Sequence, residues 1–297
     1  MPRLIVNADD FGLTSGVNRA IIELHQAGVL TSTTLMAKAA ASEEAIQLAL
    51  ANPALGVGCH IVLVDGTPVL SPSQVPNLTR GSGSAFRVSL GRFVSDLYSP
   101  VSTAAARSAL AAEIEAEATA QIRLLQSRGL RLTHVDTHKH THMFPAVLRS
   151  VLRAARSCGI TRIRNPFDSA WSRRTAAGVP WLRRAQVAAL SKLEARVLRI
   201  IAEHGFATTD GTISVMITDS LNAESLRRTL ADMPEGTWEL VTHPGYHDAD
   251  LDSVRTRLKA SRDVEREALA AIKGFPNIEL TNFAGLESNG ADPTVDP

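Results

Sequence analysis

Residues 4–36 read LIVNADDFGLTSGVNRAIIELHQAGVLTSTTLM. The run LIVN predicts a short strand over 4–7, residues 17–27 carry a helical pattern, and the β-branched stretch 30–36 predicts a second strand. A strand, a helix and another strand in this order form a crossover unit whose two strands lie parallel. The alternation continues along the chain. Further strands are predicted over 55–63, 130–135, 160–164, 212–216, 239–242 and 278–281, and further helices over 42–51, 103–127, 145–157, 185–203, 223–233 and 253–273. Seven or eight such repeats predict an α/β fold, a closed or nearly closed parallel barrel rather than an open sheet.

Two insertions interrupt the pattern. Residues 65–100 are rich in Gly, Ser and Pro and are too long for an idle connector, so they are expected to form a loop over the active face, a disordered insertion being the alternative. Residues 162–199 carry nine Arg/Lys against two acidic residues, with Trp171 and Trp181 interleaved. Such a stretch suits an anionic ligand or lipid headgroups, or else is a solvated helical face. The expected organisation is one domain over 1–285, with insertions at 65–100 and 165–205, and a frayed tail over 286–297.

Composition narrows the class. Apolar residues at 44% and charged ones at 21% exclude wholesale disorder. A formal charge of +1 argues against bulk nucleic-acid binding. Two cysteines, Cys59 and Cys158, cannot form a disulfide framework and fit a reducing compartment. The start MPRLIVNADDFG lacks the apolar core of a signal peptide. The uncharged stretch 45–64 is broken by Asn52-Pro53 and reads as helix, turn and strand rather than a membrane span. The expected location is cytoplasmic, peripheral to the inner membrane if the basic segment engages lipid.

The acids and histidines fall at predicted strand ends. Asp9 and Asp10 follow the first strand, and His60 lies in the third. Asp136, His138, His140 and His142 follow the fourth, and His243 follows the strand ELVT. In a parallel barrel the carboxyl ends of all strands open on one face, so residues more than two hundred positions apart can line one pocket. Each position also has a purely structural reading. Asp9-Asp10 could cap the following helix, His60 could be a satisfied core histidine, and the run HVDTHKHTH over 134–142 could be a surface tract. Alternation along that run, read as an extended segment, points its histidines to one side. One carboxylate and two imidazoles with an open position is the pattern of a hydrolytic divalent-metal site, and Asp10, His60 and His138 supply it. Asp9 is placed to act as a base and His243 as an acid.

The segments NADDFGLTSGVNRAIIELHQAGVLTSTTLMA, GVGCHIVLVDG, THVDTHKHTH and VTHPGY together resemble the YdjC-like carbohydrate deacetylases. Within them, GCHIVLVDGTPVLSPSQVPNL is similar to the hopanoid-biosynthesis-associated (HpnK) branch. The likeness runs from Leu4 to about Phe283. It implies a distorted TIM-like barrel, one divalent ion (zinc or magnesium) held by Asp10, His60 and His138, and hydrolysis of the N-acetyl group of an amino sugar. By position it also implies Asp9 as the base and His243 as the acid, with Asp136 and His140 orienting ligands or substrate and Arg164 paired with Asp9. Cys59 stands where leucine is common in the family, and reads as a small buried residue.

Two competing readings remain at this point. One is a metal-dependent hydrolase of a phosphoester or cyclic amide, which would favour two bound ions. The other is a non-catalytic sugar- or lipid-binding barrel, supported by the basic stretch around Arg173, Arg174, Arg183 and Arg184. A two-fold homodimer is the commonest symmetric assembly for such a chain.

Overall fold

The structure is a computed structural model and describes residues 1–175, 179–213, 221–272 and 274–287. Its opening follows the crossover unit read above. β1 (Arg3–Phe11) leads into α1 (Ser15–Gln26) and then β2 (Ser32–Leu35), which pairs with β1 in parallel. Thr14 fixes where α1 begins, because its hydroxyl accepts from the Val17 N–H at 3.2 Å. α2 (Ser42–Ala51), β3 (Gly56–Ile61), α3 (Pro76–Thr79), α4 (Leu90–Tyr98), α5 (Ala104–Ser127) and β4 (Val135–Thr137) follow. Beyond them come α6 (Pro145–Ser157), α7 (Ala170–Thr175), α8 (Trp181–Ser191), α9 (Glu194–Glu203) and β5 (Gly211–Ile213). The chain continues with α10 (Ala223–Ala231), β6 (Thr237–Thr242), α11 (Ala249–Ser253), α12 (Ala260–Ala270) and β7 (Glu279–Leu280).

All pairings between these strands are parallel, in the order β4-β3-β2-β1-β6-β5, with β7 joining β1 at Arg3 and Leu4. The barrel is incomplete. β4 and β5 do not pair directly; the gap is spanned by isolated parallel bridges, Val135 with Ile163, Arg162 with Ala207, and Asp168 with Thr212. The strand expected over 160–164 is therefore reduced to single bridging contacts, with Asn165-Pro166 interrupting the extended run before Asp168.

Alternation along β1 sorts its side chains between two environments. Leu4, Val6 and Ala8 join the main apolar core, to which α1 contributes Val17, Ile21 and Leu24. Ile5 packs instead with Ala207, Phe283 and Leu286, an apolar floor inside the sheet. Asn7 and Asp9 continue the Ile5 row towards the carboxyl end, both buried. His134 belongs to the floor as well. Its ring stacks on Phe283 with centroids 3.7 Å apart and planes 11° from parallel. The other face of that ring presses on Gly58, where an added Cβ would lie 2.4 Å from Cε1, so only glycine fits.

Several expectations need correction. The strand placed over 130–135 forms later, as Val135–Thr137, because residues 130–134 run into the sheet without regular pairing. The helix expected over 185–203 divides into α8 and α9 at Lys192-Leu193. The one over 253–273 shortens to α12, preceded by the separate α11; Lys273 lies outside the described residues. Residues 214–216 of an expected strand and 288–297 of the expected tail also lie outside them. The 65–100 insertion contains two helices, α3 and α4, rather than a structureless loop. It is tied down by α5. The buried Glu117 carboxylate accepts from the N–H groups of Val69 and Leu70, at 2.7 and 3.0 Å, and Glu113 accepts from those of Asn77 and Leu78. Its first residue, Asp65, receives a 2.6 Å bond from Lys139.

Candidate active site

The site begins with a backbone irregularity. In a regular strand the side chains of Asp9 and Asp10 would face opposite sides. Here the β1–β2 register shifts between Ala8 and Phe11, and Asp10 sits in the left-handed region at φ 66°. Aspartate tolerates that conformation better than most residues. The bulge turns both carboxylates into the same buried pocket.

Asp10 meets two imidazoles there. Its Oδ1 lies 3.4 Å from His60 Nε2 and 3.4 Å from His138 Nδ1, and those two nitrogens are 3.3 Å apart. His60 comes from β3. His138 opens a tight 3₁₀ turn, His138–Met143, that immediately follows β4. Lys139 and His140 in this turn have φ of 56° and 51°. The segment is thus curled rather than extended, and the alternation argument for its histidines does not hold. Only His138 reaches Asp10. His142 Nδ1 instead meets Thr137 Oγ1 at 2.7 Å and its Nε2 meets the Arg164 carbonyl at 3.2 Å. The ring of His140 lies beside His142, at 6.4 Å between centroids, and forms no hydrogen bond to Asp10, His60 or His138.

Asp136 orients His60. Its carboxylate oxygens accept from His60 Nδ1 at 2.8 and 3.0 Å, which turns Nε2 towards Asp10. Thr34, at the end of β2, donates to Asp9 Oδ1 at 3.2 Å and lies 3.1 Å from His60 Nδ1.

A second centre lies beneath. Arg164, fully buried, grips Asp9 with two parallel bonds, Nη2 to Oδ1 at 2.7 Å and Nη1 to Oδ2 at 2.9 Å. The same guanidinium bonds Asp136 and reaches Glu239 Oε1 at 2.6 Å. His243 Nε2 stands 3.7 Å from Asp9 Oδ2. Its backbone N–H donates to Glu265 at 2.6 Å, and Nδ1 lies 4.0 Å from that carboxylate.

The charges follow from these partners. Burial raises the Asp9 carboxyl, but Arg164 and His60 overcome it and hold Asp9 far below the usual range. Burial likewise opposes ionisation of Asp10, and Arg262 together with the two imidazoles holds it well below the usual range. Asp136 is lowered against its burial by Arg164 and His60. Glu239 is pushed up to about 7, since burial and the neighbouring aspartates outweigh Arg164. Burial lowers His243, with Asp9 and Asp10 only partly offsetting it. For His60 burial is outweighed by the charge and bonds of Asp136, with the nearby carboxylates of Asp10 and Asp9 adding to it, which raises it to about 10. Cys59 is buried and its thiol is pushed well up by that burial, so it carries no thiolate.

The donor set suits a divalent cation. Asp10 Oδ1 is buried with no hydrogen-bond partner, and the ligand atoms of Asp10, His60 and His138 lie within 4.8 Å of one another. Asp9, His60 and Asp136 form a second such group, but both of its carboxylates already accept bonds from the Arg164 guanidinium. Because ligation would require neutral His60, uptake of an ion here would displace the proton that the aspartates favour there. Apparent affinity for zinc should therefore rise about tenfold per unit between about pH 6 and 8, with about one proton released per ion. Calorimetry in buffers of different ionisation enthalpy reads that proton; an affinity flat over this range contradicts a protonated His60.

Four residues escaped the sequence reading: Thr34, Glu239, Arg262 and Glu265. Thr34 ends a strand, so the rule that found His60 applies to it. Glu239 is a lone acid in the apolar strand TWELVT. Arg262 and Glu265 share with Leu269 the spacing of one helix face, which places an ion pair's worth of charge on a stripe otherwise facing the core.

The family model described as YdjC-like protein matches residues 3–273. The chain belongs to the YdjC-like family. A carbohydrate deacetylase of Brevibacillus brevis is 36% identical over 290 residues, covering 96% of this chain and 99% of that protein. One of Thermoanaerobacter pseudethanolicus is 30% identical over 292 residues, covering 97% and 100%. A chitooligosaccharide deacetylase of Salmonella paratyphi B is 40% identical over 158 residues, 53% of this chain and 57% of that one. Among solved structures, an Enterococcus faecalis protein described as a candidate cellobiose-phosphate cleavage protein superposes with a TM-score of 0.74 at 24% identity, covering 95% and 97% of the two chains. That likeness bears on the fold alone, and it spans nearly the whole YdjC-like chain.

Proposed function

We propose that this YdjC-like chain is a carbohydrate N-deacetylase. It would hydrolyse the N-acetyl group of an amino sugar, using one divalent ion, zinc or magnesium, held by Asp10, His60 and His138. The observation that carries the reading is the meeting of this ligand set with an ionised Asp9 and with His243 at the carboxyl ends of β1, β3, β4 and β6, in a family whose named relatives are deacetylases. When bound, the ion supplies polarisation of the acetyl carbonyl and acidification of a coordinated water.

The chain's own groups move the protons. Asp9, kept ionised by Arg164, accepts a proton from the attacking water. A carboxylate held so low does not retain it, and an imidazole nitrogen, His243 Nε2, stands 3.7 Å away to receive it. His243, neutral at rest because burial disfavours its charge, can take that proton and deliver it to the departing amine nitrogen. Glu265 beside Nδ1 favours the tautomer that leaves Nε2 free to do so. Asp136 fixes the His60 ring, and His140 is assigned to orienting substrate. The Arg164 grip on both Asp9 and Asp136 supports a one-ion site over the two-ion phosphoester or cyclic-amide reading.

The proposed substrates are N-acetylated amino sugars, in oligosaccharides or in a glycolipid. The similarity of residues 58–78 to the hopanoid-associated branch and the exposed Trp181 on α8, 77% accessible beside Arg183 and Arg184, support the glycolipid and a membrane-surface location. Among the described residues no helix is long and apolar enough to cross a membrane. The test is acetate release from N-acetylated chitooligosaccharides and glycolipids, with and without chelator. Chelator-sensitive release supports the proposal. Saturable glycan binding by the metal-loaded chain without acetate from any substrate overturns it in favour of a binding barrel.

A further inference from the structure

The mechanism above leaves Arg262 unexplained. This arginine is buried in a position no strand end announces, on α12, more than two hundred residues from β1. Its side chain is 1% exposed, and such burial of a guanidinium is costly unless it is paired. Its Nε donates to the Leu258 carbonyl at 3.0 Å and its Nη2 to Asp10 Oδ2 at 2.5 Å, while Nη1 is buried without a partner. The loop after His243 packs over it: a Cβ added to Gly245 would lie 3.1 Å from Arg262 Cδ. The aliphatic part of the side chain is therefore held between that loop and its own helix, and the head has little freedom to swing away from Asp10.

The two oxygens of Asp10 consequently differ. Oδ2 is spent on Arg262, and Oδ1 faces His60 and His138 with no hydrogen-bond donor of its own. We infer that Arg262 is a positioning residue for the cation site, restricting Asp10 to one oxygen and cancelling its charge. The proposal rests on the reading that Asp10, His60 and His138 hold a divalent ion. With two neutral imidazoles and a carboxylate already balanced by a guanidinium, the ligand set brings no net negative charge. An ion there keeps its full double charge, at some expense in binding strength, and so remains a strong Lewis acid. The buried cation close to the ligand set also repels the ion directly. Removing Arg262 should therefore tighten ion binding, whereas removing an arginine that only props up the pocket should loosen it.

The experiment compares the full-length wild type with Arg262→Met, using competitive chelator titration of zinc and the visible spectrum of the cobalt-loaded protein. The expected result is one ion per chain in both, bound about tenfold or more tightly by the variant, as expected when a nearby like charge is removed. The cobalt bands should weaken as the freed Oδ2 joins the coordination. Equal or weaker zinc binding by a folded variant overturns the inference. Should Arg262→Met fail to fold, Arg262→Gln, which keeps an N–H donor without the charge, is held to the same affinity criterion. Failure of the wild type to bind a single ion would instead sink the metal site itself, so the two failures are distinguishable.

Discussion

Asp9→Asn is expected to lower acetate release by about two to four orders of magnitude, the range that one positioned general base contributes, with the protein still folded and able to bind its ion. The carboxylate is the nearest anionic group to His243 Nε2, and it is the one that Arg164 holds with two parallel bonds. An amide of the same shape preserves the volume and one acceptor oxygen. It also leaves Arg164 its bonds to Asp136 and Glu239. What it removes is the ability to take a proton from water. Steady-state acetate release with zinc content measured on the same sample reads both halves of the claim. A variant that keeps its ion and loses less than about tenfold in rate rules Asp9 out as the base.

Arg164→Met is expected to cost about 3–5 kcal/mol of stability, a large share of what a folded domain possesses. The arginine is the cation shared by Asp9, Asp136 and Glu239, and all four side chains are buried. Taking it away leaves three buried acids with His60 as the remaining counter-charge against them. The loss should depend on pH in a stated direction. In the wild type the folded-state pKa values of Asp9 and Asp136 are depressed, so the stability they contribute is present above the ordinary carboxylate range and lost as pH falls through it. In the variant mutual repulsion raises them instead, so protonation on acidification relieves the folded state. Urea unfolding should show the variant nearer to wild type at about pH 5 than at about pH 8. A variant within about 1 kcal/mol of wild type at both pH values contradicts the shared-cation picture.

These two residues also show where reading the chain succeeds and where it stops. Asp10, His60, His138 and His243 were legible because each ends a recognisable strand, and a parallel sheet collects such ends on one face. Arg164 was legible as a charge at the end of a weak strand, although that strand survives only as single bridges. The bulge that brings Asp9 and Asp10 into one pocket was not legible, since nothing in NADDFG distinguishes a left-handed aspartate from an extended one. The run HVDTHKHTH misled for a related reason. Its alternation mimics a strand, yet Lys139 and His140 turn left-handed and separate His138 from the histidines that follow. Arg262 and Glu265 lay beyond reach because their roles depend on which side of α12 faces Asp10 and His243, a tertiary choice that local spacing only hints at.

Zinc titration of the metal-free wild type beside Asp10→Ala tests the shared ligand set most directly. The account predicts one tightly bound ion per wild-type chain and none held comparably by Asp10→Ala. Undiminished binding by Asp10→Ala, or two tight ions in the wild type, would contradict it.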